Sequence, residues 1–271
     1  MSIIRTITAA AVLTTGFAAS APASAVVTTF ASYSAVGGAN IYWMNNGGTT
    51  LATTGGSLYT IASPTSTTAG IVATKFKFLS PNALHPLTFL AALGEVNADF
   101  TLNVTAANGG AGNGGSLSEI IGSGGFSFIY RGAATLHVNH SSYATGANLL
   151  TATLLAGPEL SGRRNSTSGG VDGSSSAGDA ITYTSDFLNF GVLDEKDFSI
   201  SITSITPKLG NLANRAINTF AGVSGGQFST DPGPTLTAIV PEPATWGLLV
   251  VGFGLVGLQG RRRSRSSSVA A

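Results

Sequence analysis

The chain has 271 residues, with 13 Lys and Arg against 12 Asp and Glu, and it contains no cysteine. That balance excludes the basic footprint of a nucleic-acid binder, and the missing cysteines exclude disulfide staples and thiol nucleophiles. Thirty-six glycines beside abundant Ser, Thr and β-branched residues point to strands separated by turns, with stability drawn from packing and sheet hydrogen bonds.

Residues 1–25 read as a signal peptide. Arg5 supplies the positive start, the run from Ile7 to Ala19 is uncharged and apolar, and Ala23 and Ala25 are the small residues that signal peptidase reads. Cleavage after Ala25 makes Val26 the first mature residue, and the body, residues 26–238, lies outside the inner membrane. The body is long enough for one domain with a sizeable core. It holds eight Lys and Arg against eleven Asp and Glu, so it is slightly acidic and offers no surface for nucleic acid.

Period-two alternation runs through the body. Val26 to Tyr33 is the first expected strand, and Tyr42 and Trp43 precede the turn signal Asn45-Asn46-Gly47-Gly48. Ser57 to Ala62 and Ile71 to Leu79 follow, the latter with Thr74, Phe76 and Phe78 on one face and Lys75 and Lys77 on the other. Phe100, Leu102 and Val104 alternate with polar residues, as do Phe126, Phe128 and Tyr130. Thr135–Val138, Asn148–Ala156, Ile181–Thr184 and Phe187–Phe190 continue the series, and Phe198, Ile200 and Ile202 lead to a stop at Pro207. One apolar face per strand at this spacing predicts an all-β body, an antiparallel β-sandwich of jelly-roll-like kind.

Other stretches are weaker. Leu84 to Leu93 reads as a short helix, and Lys208 to Phe220 as either a helix or an irregular return loop. Ala106–Gly115 and the Ser/Gly-rich Ser161–Asp179 read as loops. Gly109-Gly110-Ala111-Gly112 and Gly122-Ser123-Gly124-Gly125 read as turns, since no Lys-Ser/Thr and helix follow to make a phosphate loop. Asp231-Pro232-Gly233-Pro234 marks the domain end and a stiff stalk.

Chemistry in the body is thin. His137 and His140 fall on opposite faces if they share a strand, a poor metal pair, and His85 is far away in sequence. No His-Glu-x-x-His or Gly-x-Ser-x-Gly is present, so no catalytic residue, cofactor or metal is expected. Asp194-Glu195-Lys196-Asp197 reads as a solvated turn or a loop of calcium-binding oxygens, with Asp172 and Asp179 a fainter version of the second.

The last segment, residues 239–271, has three parts. Pro241-Glu242-Pro243 is an extended hinge, because prolines one residue apart do not fit inside a helix. Ala244 to Gly260 is uncharged and spans about 25 Å as a helix, the short limit for crossing a bilayer, with Trp246 at its interface. Gly252, Gly254 and Gly257 permit close packing against another membrane helix, and Arg261, Arg262 and Arg263 hold the cytoplasmic end.

These residues resemble the PEP-CTERM sorting signal of Gram-negative bacteria, in its Pro-Glu-Pro-x-x-Trp form. Ile181–Leu188 and Asp197–Ile202 are loosely similar to bodies found beside such signals, and that likeness names no activity. The tail resemblance implies a partner, an exosortase-like membrane protease and transpeptidase that removes the tail near Pro241–Pro243. It also implies transient anchoring in the inner membrane, then a place at the cell surface or in the matrix with exopolysaccharide. Gly247 stands where that family often has alanine, and Ser264–Ala271 lengthens the basic end. The expectation is a non-enzymatic exported protein. The alternative is a secreted carbohydrate-binding or carbohydrate-cleaving module, which needs a cleft lined by Trp43, tyrosines and acids.

Overall fold

The computed structural model describes residues 27–46, 55–81, 87–107, 111–113, 115–192, 194–210 and 217–237. In chain order these form β1 (Thr28–Ala35), β2 (Ile41–Asn45), β3 (Gly56–Thr60), β4 (Val72–Phe78), α1 (Thr88–Ala91), β5 (Glu95–Ala106), β6 (Ala111–Asn113) and β7 (Ser116–Tyr130). There follow β8 (Leu136–Val138), β9 (Ser141–Tyr143), β10 (Asn148–Leu154), β11 (Glu159–Arg163), β12 (Gly169–Ser174), a 3-10 turn (Ser175–Ala177), β13 (Ile181–Thr184), β14 (Leu188–Asn189), β15 (Glu195–Thr206), β16 (Phe220–Asp231) and β17 (Thr235–Leu236). The fold is all-β and antiparallel, as the alternation predicts.

The pairings form a closed circuit. β1 with β2 makes one line, which runs against β4 with β3; that line pairs with β5, and β5 with β7. β7 carries β10 and β11 on its other edge, these carry β13 and β12, and β12 leads through β15 to β16. β16 then pairs back to β1 and β2 and closes the ring. Each line lies beside its neighbour in sequence, the low-entropy order of a meander and simpler than the crossed order of a jelly roll.

Eight strand lines enclose a space just wide enough for side chains to fill. Aromatic rings fill it here. Phe100 stacks on Phe128 at 4.6 Å, and Tyr33 meets both at 4.9 and 4.7 Å. Phe126 reaches across the ring to Phe228 at 5.2 Å, so the β7 wall and the β16 wall touch. Opposite walls of the ring therefore pack on one another through this aromatic core, the sandwich-like packing expected from the sequence.

The outer face is polar. Lys75 Nζ donates to Asn97 Oδ1 at 2.7 Å across β4 and β5, and Thr101 and Ser127 hydroxyls pair at 2.7 Å across β5 and β7. Apolar-in and polar-out is the reverse of a lipid-facing barrel.

Three expectations are corrected, and one strand was not expected. Gly122–Gly125 is not a turn but the middle of β7, paired to β5 and β10. Ser161–Asp179 is not an unordered loop; it contains the end of β11 and all of β12. Within Ala106–Gly115, Ala111–Asn113 pairs with Ser116–Ser118. β16, rich in Gly and Ser, is a full strand between the expected return segment and the Pro-Gly stalk. At several of these glycines a neighbouring group takes the volume a side chain would occupy: the backbone at Asn103 and Ala152 does so at Gly124 and Gly125, and a ring does so at Gly226 and Gly173. A Cβ on Gly226 would lie 2.7 Å from the Tyr33 ring, and one on Gly173 would lie 2.6 Å from Phe198. Of the expected helices, α1 covers part of Leu84–Leu93. The described parts of Lys208–Phe220 are not helical; Asn218 N–H donates to Gly210 O at 3.0 Å across that return loop.

Candidate functional site

Strand direction sorts the molecule into two ends. β1, β5, β10 and β15 start, and β4, β7, β13 and β16 finish, at the end that also holds Val27 and Thr237. We call it the exit end. There β17 pairs with β14 through Leu188 and Leu236, and Thr237 N–H donates to Phe187 O at 3.0 Å. The Pro-Gly stalk is thus held to the body by the residues after it. Over this site lies the β8–β9 hairpin, whose turn residues Asn139 and His140 both have positive φ, 41° and 71°. That is the geometry of a two-residue type I′ turn, in which Asn is favoured. Tyr143 stacks on buried Phe187 at 3.9 Å and fixes the hairpin to the body. A pocket of about 330 Å³ opens between them, lined by Val138, His140, Ser141, Tyr143, Phe187 and Leu236 among others.

His137 lies on β8, with Nδ1 3.0 Å from Ser142 Oγ, and His140 is in the turn. Among the described residues no three His, Asp or Glu are grouped to hold a metal. His85 lies outside those residues.

The acidic run begins in a clamped turn at Asp194 and continues as the first residues of β15. Asp194 Oδ2 accepts from Gly191 N–H, and the buried Lys196 Nζ donates to Gly191 O at 3.0 Å and Asp194 O at 2.7 Å. The Lys196 ammonium thus binds two backbone carbonyls of this turn. Asp179 likewise serves the backbone: its Oδ2 accepts from Ser174 N–H at 2.8 Å. It borders a shallow notch with Glu159 and Asp172, which face each other across β11 and β12.

The opposite end carries a group that the sequence reading passed over. Glu119 lies in phase with Leu117 and Ile121 on the inner face of β7 and is 2% exposed. Its Oε1 accepts from Ile217 N–H at 2.6 Å, while Oε2 is buried without a partner. Burial pushes its carboxyl from 4.5 up to about 7, partly opposed by the Ile217 bond. Ile217 O in turn accepts from Trp43 Nε1 at 3.2 Å and Asn45 Nδ2 at 2.8 Å. Trp43 is fully buried, its ring covering Gly56, so it lines no cleft. The in-phase position between two apolar residues was the available signal for Glu119.

Ala23 and Ala25, and all of Pro241, Glu242, Pro243, Trp246, Gly252, Gly254, Gly257 and Arg261–Arg263, lie outside the described residues. So do the expected signal peptide and membrane helix. Residues 240–263 match the PEP-CTERM protein-sorting motif. The chain carries a PEP-CTERM sorting signal. This signal marks a protein exported through the membrane and sorted by exosortase to the cell surface or extracellular space. No curated protein and no solved structure matches the chain. The match begins at Val240, three residues beyond the bond that ties Thr237 to the body.

Proposed function

We propose that this is a non-enzymatic surface or matrix protein. Its PEP-CTERM tail holds it in the inner membrane until an exosortase-like enzyme cuts near Pro241–Pro243. Signal peptidase acts first, after Ala25, and the released body resides with exopolysaccharide or biofilm matrix. The sorting motif at 240–263, placed directly after a folded body, is the observation that carries this reading. The body supports it in kind: a closed core, a polar Ser/Thr-rich wall, and Asp179 and Lys196 bonded to backbone groups. The carbohydrate-module alternative needed Trp43 on a groove, and Trp43 is inside.

The extended hinge is what a protease cleft accepts, and the span behind it delivers that hinge at a fixed depth. Replacing Pro241, Glu242 and Pro243 with alanine therefore blocks trimming and leaves insertion intact, so the uncleaved membrane form accumulates. Fractionation with intact mass in the native host checks this. A variant trimmed and released like the wild type would reduce the tail to an anchor.

A further inference from the structure

We propose that the exit end, with the β8–β9 hairpin and the pocket beneath it, is the surface that the tail-processing membrane enzyme contacts while gripping Pro241–Pro243. This rests on the sorting reading above and adds a second point of recognition to it.

The tether is the first ground. Leu236 is paired to Leu188 and packed against the core, and Thr237 is bonded to Phe187 O at 3.0 Å. Only Ala238, Ile239 and Val240 then precede Pro241. At a maximum of about 3.6 Å per residue, Pro241 lies within about 15 Å of Thr237. A folded enzyme whose cleft encloses the hinge and a residue or two before it extends farther than that on every side. It therefore meets the body at this end. The far end is out of reach, since the twelve residues of β15 alone span roughly 40 Å.

The second ground is the surface itself. The pocket has an apolar floor of Val138, Phe187 and Leu236 and a polar rim of His140, Ser141 and Thr237. It is preformed, because the Tyr143–Phe187 stack and the His137–Ser142 contact hold the hairpin in place. A rigid notch of this make-up suits one apolar side chain of a protein partner, flanked by hydrogen-bonding groups. The partner chemistry is thus a protein loop next to the membrane enzyme's cleft.

The test follows tail removal of the full-length chain in the native host by pulse-chase and intact mass. Asn139→Asp with His140→Asp changes the exposed hairpin tip while keeping at both turn positions a residue that tolerates positive φ. Tail removal should slow about tenfold with an unchanged melting temperature. A spacer of eight Gly and Ser residues inserted after Thr237 should not accelerate removal of the wild-type tail. Unaltered kinetics in the hairpin variant would overturn the proposal. So would faster trimming of the spacer chain, which would mean that the body end hinders the enzyme. Slower trimming that tracks a loss of membrane association by the uncleaved chain would assign the surface to lipid and also overturn it. The Pro241–Pro243 alanine variant, run in parallel, separates the two readings. If it blocks trimming while the hairpin variant is trimmed normally, only the docking surface falls; if it too is trimmed, the sorting reading falls.

Discussion

The two ends of the barrel are closed by opposite means. At the exit end Lys196 holds two carbonyls and Tyr183 OH donates to Asp197 O at 2.7 Å, while Asp197 Oδ1 and Thr230 Oγ1 are buried without a partner. Phe30, Tyr183 and Phe190 pack there within 5.8 Å, Tyr183 edge to face with each of the other two. At the far end the seal is Trp43 over Gly56, and beneath Ile217 a carboxylate oxygen of Glu119 is left without a partner. An unpartnered buried carboxylate costs more free energy than a satisfied network of the same size. The comparison teaches that the end nearest the sorting tail is tied by a lysine clamp, while the far end carries a buried carboxyl whose contribution to stability depends on pH.

The largest effect should come from the far-end seal. Trp43→Ala removes a fully buried ring and one of the bonds to Ile217 O, and should cost about 3–5 kcal/mol in urea unfolding of the mature body. A loss under 1 kcal/mol would break the comparison by showing that the seal is dispensable.

Glu119 sharpens it through pH. Its folded value is raised from 4.5 to about 7, so the folded state binds more protons than the unfolded one between those limits. Its favourable contribution is complete below about pH 4.5, falls as pH rises, and is gone above about pH 7. Glu119→Gln should match the wild type near pH 4 and exceed it by at most about 3 kcal/mol at pH 8. Equal stability of the two proteins across that range would show that the carboxyl is not held neutral by burial.

Lys196→Met probes the exit end. It leaves Gly191 O and Asp194 O without their donor and should cost about 1–3 kcal/mol. A neutral result would mean that water replaces the ammonium freely and that this end is less ordered than its hydrogen bonds suggest.

The sequence disclosed the strands whose side chains speak for them. Phe76 and Phe78 between lysines, and Phe198, Ile200 and Ile202 between Ser and Thr, map directly onto β4 and β15. It did not disclose strands whose inner positions are glycine. In β16 and the middle of β7 the period-two signal vanishes because the volume is filled from other strands, by the Tyr33 ring over Gly226 and by the backbone at Asn103 and Ala152 over Gly124 and Gly125. Trp43 looked available for a ligand because its turn-side neighbours are polar; its partners Gly56 and Ile217 are brought to it only by β3 and β16. Glu119 was missed for the converse reason: one charge among apolar neighbours reads as surface until the strand's phase is known. The sorting signal was legible because its hinge, span and arginines are consecutive, so no tertiary contact is needed to assemble it.

The most direct measurement is the intact mass of the mature protein recovered from the surface or medium of the native host. The account predicts a chain that starts at Val26 and ends close to Pro241–Pro243, with or without an attached group at its new C-terminus. A recovered chain that still contains Arg261–Arg263 would contradict it.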